Sequence, residues 1–102
     1  MTAETVRDNV EASRFELQVD GGVAFINYTR TADARVLTHA EVPLGLRGRG
    51  IGVRLATGTL QLLRAQGEKV VPRCRFLVSF MQRHHEYADL LALPAAVSSA
   101  RR

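Results

Sequence analysis

The chain has 102 residues, 46% hydrophobic and 24% charged, with 14 Lys and Arg against 10 Asp and Glu and one cysteine. That is enough for a single domain with one core, and it excludes a membrane-spanning apolar run, an internal disulfide and a metal site built on sulfur. The charge is unevenly divided, since residues 1–45 carry four Arg against seven acids and residues 46–102 carry ten Lys and Arg against three, so the second half sets up a field that attracts anions.

Residues 1–12 are polar and aperiodic and read as a loose N-terminal arm with none of the basic and apolar regions of a secretory signal, which predicts a cytoplasmic protein. Phe15, Leu17 and Val19 then alternate with Arg14, Glu16 and Gln18, predicting a strand that ends at the hairpin signal Asp20-Gly21-Gly22. A second strand is expected over Val23 to Tyr28, and a third from about Arg35 to Val42 after the turn Thr31-Ala32-Asp33, giving three antiparallel strands. From Gly50 to Gln66 apolar residues recur at helical spacing, with Gly67 placed to end the helix in a left-handed conformation. Glu68 to Arg73 reads as a short strand with Pro72 near its end, so strand, helix and strand form a parallel right-handed crossover. Helical spacing returns over Phe76 to Arg83 and over Glu86 to Leu93, with Pro94 as the stop and residues 94–102 as a tail. One domain over 13–93 is expected.

Between the third strand and the long helix runs Val42-Pro43-Leu44-Gly45-Leu46-Arg47-Gly48-Arg49-Gly50-Ile51-Gly52. Glycines at every second position let backbone N–H groups approach an anion, the helix start aims its positive dipole end at the same place, and Arg47 and Arg49 add formal charge. A nucleotide P-loop would need Lys and Ser or Thr after the last glycine, whereas Gly52 is followed by Val53 and Arg54. The dinucleotide pattern GxGxxG is not met by Gly48-x-Gly50-x-Gly52. Arg-x-x-Gly-x-Gly is met, by Arg47, Gly50 and Gly52.

That loop resembles the acyl-coenzyme A pyrophosphate loop of the GNAT acetyltransferase superfamily. His39-Ala40-Glu41-Val42-Pro43 before it, Lys69-Val70-Val71-Pro72-Arg73-Cys74-Arg75-Phe76 after the helix, and Arg83-His84-His85-Glu86-Tyr87-Ala88-Asp89-Leu90 near the end are similar to its small single-domain branch in the same order. The resemblance covers about residues 13–91. Ala40 in place of Thr, Arg73 and Arg75 beside Cys74, and His85 in place of Pro depart from the usual pattern and bear on acceptor recognition more than on coenzyme binding. It implies an α/β (α+β) fold with a mostly antiparallel sheet, one parallel crossover and helices packed on the sheet. It also implies a cleft where the strands holding Glu41 and Cys74 splay apart, in which the pantetheine arm bonds the backbone of Val42 like a missing strand. Acetyl-CoA would be held by Val42, Leu46, Arg47, Gly48, Arg49, Gly50, Ile51, Gly52, Cys74, Phe76, Arg83, His84 and Tyr87, with no metal.

Amine acetylation needs a deprotonated amine, a positioned thioester and an outlet for the thiolate. Glu41 and His39 share a strand face, and either can serve as general base, or both can be ordinary surface side chains. Cys74, expected at the end of a parallel strand with Arg73 and Arg75 on the opposite face, reads as nucleophile, cleft-lining residue or buried small hydrophobe. His85-Glu86 begins like a zincin helix, but position 89 is Asp, and adjacent histidines diverge on a helix. Tyr87 reads as a coenzyme contact or as a core aromatic. The expected activity is acetyl transfer from acetyl-CoA to an amine by a monomer or weak homodimer. The alternatives are a CoA-binding or regulatory module without efficient catalysis and, against the 6% aromatic content, a nucleic-acid binder.

Overall fold

The computed structural model describes residues 5–92. Five strands, β1 (Val6–Asn9), β2 (Arg14–Val19), β3 (Gly22–Arg30), β4 (Ala34–Glu41) and β5 (Lys69–Pro72), lie in chain order across one sheet, antiparallel through β4 and parallel between β4 and β5. Helix α1 (Ile51–Ala65) makes the crossover, and α2 (Arg75–Arg83) follows β5. The expected mixed sheet with one parallel crossover is the observed fold, with four antiparallel strands in place of three.

The pairing register places Leu17 with Ala24, Phe15 with Ile26 and Ala40, and Tyr28 with Leu37 on one sheet face. Against that face α1 buries Ile51, Leu55, Ala56, Thr59, Leu60 and Leu63, and α2 buries Leu77, Phe80 and Met81. The helix end follows from Gly67, whose φ of +71° lets its N–H reach Arg64 O and the Glu68 N–H reach Leu63 O, the paired bonds of a Schellman stop.

Over Val6–Asn9 the N-terminal arm expected for residues 1–12 is corrected by β1, an edge strand of the sheet; residues 1–4 lie outside the described residues. Val6 is buried on α1 at Gly58, where a Cβ would stand 2.5 Å from Val6 Cγ2, so only glycine lets strand and helix meet this closely. Asp8 receives the Tyr28 hydroxyl at 2.6 Å and pairs with Arg35 at 3.2 Å. Arg35 itself is buried, with its guanidinium carbon 4.6 Å from the Tyr28 ring centroid, Nη2 donating to Gln66 Oε1, and Nε 3.2 Å from Glu68 without hydrogen-bond alignment. Burial, then the bond to Asp8, pushes the Tyr28 phenol above its ordinary range.

Two further expectations are corrected. The helix predicted over Glu86 to Leu93 is a 3-10 turn over His85–Leu90, because Tyr87 and Leu90, three apart, point into the core together; Leu91 then bridges to Val70. Cys74 is not on a strand, since β5 stops at Pro72, the Arg73 N–H goes to Leu37 O, and Cys74 becomes the cap of α2. The expected helix stop at Pro94 and the tail beyond it lie outside the described residues.

Candidate functional site

The site begins with one extra residue in β4. Asn27 pairs with His39 and Tyr28 with Leu37, so Thr38 is bulged out of register, and its hydroxyl donates to Asn27 O at 3.2 Å. Without the bulge, strict alternation from buried Leu37 would turn His39 and Glu41 into the core. With it, both face the opposite, helix-free side of the sheet, and Ala40 takes the core side. The His39 Nε2 and Glu41 Oε1 atoms are 3.1 Å apart, and both side chains are more than half exposed, at 57% and 53%.

Parallel pairing of β4 with β5 ends at the same place, at Leu37 and Pro72, because the chain leaves β5 to start α2. The end of β4 thus loses its neighbour, and a cavity of about 340 Å³ opens there, walled by His39, Ala40, Glu41, Val42, Arg47, Gly52, Leu55 and Phe76. Gly52 keeps this lane open, since a Cβ on it would stand 3.3 Å from the Phe76 ring and 3.8 Å from Val42.

At the mouth of the lane stands the start of α1. Gly48 and Gly50 take left-handed φ of +83° and +73°, which explains why they are glycines independently of any ligand. The first intrahelical bond is Arg54 N–H to Gly50 O at 3.1 Å, so the amides of Ile51, Gly52 and Val53 have no partner within the helix. No side chain caps this end, and no acidic residue occupies its first turn, so the dipole is uncompensated there. Of the residues expected in the phosphate turn, Leu46 falls out. Its side chain is buried against the β2–β3 turn at Gly21, and its N–H bonds Pro43 O at 2.8 Å, so it plugs the core. The Arg47 N–H is likewise held by Leu44 O, while its side-chain Nε–H donates to Val42 O at 3.2 Å.

Cys74 lies beside the lane without lining it, half-buried, with Sγ accepting from the Leu77 N–H at 3.5 Å. Arg73 and Arg75 do not share a strand face opposite Cys74 as expected, because β5 ends at Pro72 and Arg75 opens α2. His84 stacks on Phe80 at 3.9 Å and gives its Nδ1–H to Phe80 O at 2.8 Å, and neither it nor Arg83 lines the cavity. Tyr87 is a core aromatic turned to α1, its hydroxyl 3.5 Å from Gln61 Nε2 and Arg64 over its ring. Among the described residues no group of three or more His, Cys, Asp or Glu is assembled that could hold a metal, and no helix is long and apolar enough to cross a membrane.

Sequence reasoning missed the surroundings of the His39–Glu41 pair. The register carries Asn9, Arg14, Asn27 and His39 in one row, and Arg7, Glu16, Phe25 and Glu41 in the next. Arg14 stacks over Phe25 at 4.4 Å and bonds Glu16 at 2.7 Å; that bond outweighs burial and holds the Glu16 carboxyl below its ordinary value. The signal was present in β4, where regular alternation would bury two polar side chains.

The family model of GCN5-related N-acetyl-transferases matches residues 14–90. The chain belongs to that family. No curated protein matches it. Among solved structures, the NMR solution structure of a GCN5-like protein from Staphylococcus aureus is similar at 18% identity with a TM-score of 0.61, covering 99% of this chain and 100% of that one, a likeness of fold. The open lane between β4 and α2 is therefore carried on a GNAT fold.

Proposed function

We propose that the chain transfers the acetyl group of acetyl-CoA directly to an amine. The observation that carries this reading is the meeting of two features, the lane where β4 loses β5 and the uncompensated amides of α1 at its mouth. A pyrophosphate fits the amides of Gly48 to Val53, with Arg47 and Arg49 as counter-charges, and an amide-bearing arm fits the lane past Gly52 and Phe76 to the β4 backbone. Acetyl-CoA, when bound, supplies the activated thioester.

The chain's own contribution is to hold the donor in the lane and to manage a proton from the other side of the sheet. The acceptor amine arrives at His39 and Glu41, which face away from the helices and take the proton the amine must lose. The nitrogen then attacks the thioester carbonyl carbon, the carbon–sulfur bond breaks, and the electron pair leaves with the thiolate of CoA. Cys74 has no step in this sequence, because its thiol is tied to the turn of α2 and is not in the wall.

Acetyl-CoA and CoA should raise the melting temperature saturably, and ATP should do so less. With candidate amines, Glu41→Gln or His39→Ala should lose acetyl transfer while Cys74→Ala keeps it, read by intact mass of the acceptor. A Cys74→Ala variant that is inactive yet still binds CoA would replace direct transfer with a thioester on Cys74. Binding without transfer to any amine would make the protein a CoA-binding module.

A further inference from the structure

Resting on that reading, we propose that Arg47 determines carrier specificity: it makes entry of the pantetheine arm conditional on the phosphates of the nucleotide, so the lane takes acyl-CoA and turns away acyl groups on phosphate-free pantetheine. Arg47 follows the 3-10 turn Leu44–Leu46 in extended conformation, and its side chain reaches back to the end of β4, where Nε–H donates to Val42 O at 3.2 Å. Val42 is the first residue past β4, on the stretch that β5 no longer pairs. Its carbonyl is the kind of acceptor an incoming amide must use to extend the sheet.

A carbonyl has two lone pairs, but Val42 and Arg47 both wall the cavity, so the guanidinium making this bond stands in the lane the arm would use. Arg47 is thus a competitor of the arm. It is also the residue immediately before the amide cluster that starts at Gly48. A phosphate seated there offers the guanidinium two charge-assisted bonds in exchange for one bond to a neutral carbonyl, and draws it off Val42. The phosphate end and the arm of one ligand then help each other through a single side chain, a coupling that is reciprocal. Phosphate-free pantetheine must displace Arg47 with nothing to receive it.

NMR titrations of the parent, Arg47→Ala and Arg47→Lys proteins with CoA, with 3′-phospho-ADP and with pantetheine test this. Arg47→Ala should bind CoA and 3′-phospho-ADP more weakly and pantetheine more tightly, by about three- to ten-fold, the span of one net hydrogen bond. In the parent, saturating 3′-phospho-ADP should tighten pantetheine by a similar factor, and in Arg47→Ala it should not. Arg47→Lys, which keeps charge but loses the planar Nε–H, should lie between the two. If Arg47→Ala binds pantetheine no better than the parent, or if 3′-phospho-ADP leaves pantetheine binding in the parent unchanged, Arg47 is a phosphate contact only and the inference falls while the functional reading stands. If the parent binds neither CoA nor 3′-phospho-ADP, the functional reading falls and takes this one with it.

Discussion

Strand β4 has two halves that are built for opposite purposes. From Ala34 to Leu37 it is paired on both sides, and its one charged residue, Arg35, is buried among Asp8, Glu68, Gln66, Phe15 and Tyr28. From Thr38 onward it is paired on one side only, its polar side chains face solvent, and a lane opens along its free edge. The polar groups of the first half are turned toward one another and those of the second toward solvent at the proposed site, so eight residues carry both a closed and an open environment.

Breaking the closed half should cost stability and spare binding. Arg35→Ala would leave the Asp8 carboxylate and the Tyr28–Asp8 bond without their cation, a loss of about 3 to 5 kcal/mol on the scale of broken buried ion pairs. Urea unfolding should show it, and CoA affinity measured well below the transition should change little. Breaking the open half should do the reverse. Gly50→Val puts a β-branched residue at a left-handed φ of +73° and moves the amides of the helix start, so CoA binding should fall more than ten-fold for about 1 to 2 kcal/mol of stability. Retained CoA affinity in this variant would remove the loop from the site.

The smallest effect concerns pH and the polar lattice on the open face. The folded pKa of Glu16 is lowered by the Arg14 bond, so its contribution is present above its ordinary value of 4.5 and is lost as pH falls through the lower, folded value. Acid unfolding of Glu16→Gln should therefore show a shallower loss of stability than the parent below about pH 4.5. Equal slopes would mean that the carboxylate contributes the same in both states.

What was legible in the sequence was what repeats. The alternation of Phe15, Leu17 and Val19, the helical spacing from Ile51 to Leu63 and the glycine at 67 each signal their element over several residues, and the elements lie close to where those signals fall. Strand β1 has a single buried side chain, Val6, and depends on Gly58, more than fifty positions away, so no local pattern marks it. Leu46 read as part of an anion loop because Gly45 and Gly48 stand on either side of it, whereas its packing against Gly21 and Gly22 and its N–H bond to Pro43 O set it apart from them. Cys74 moved from strand to helix cap because Pro72 ends the ladder, and a change of direction after proline can be anticipated but not aimed.

The bulge at Thr38 makes β4 sensitive to the parity of its length. Any side chain can be exchanged at a bulge with local consequences, but removing one residue between Leu37 and His39 would let the strand heal into regular alternation. Leu37 would stay opposite Tyr28 and His39 opposite Asn27, so His39 and Glu41 would keep the helix-free face and Ala40 the core side; it is pairing Thr38 into the ladder that would turn the His39–Glu41 pair toward Leu55. For this strand counting matters more than composition, because one residue more or fewer in the ladder reverses every side chain beyond it, and Thr38 is the residue that the ladder does not count.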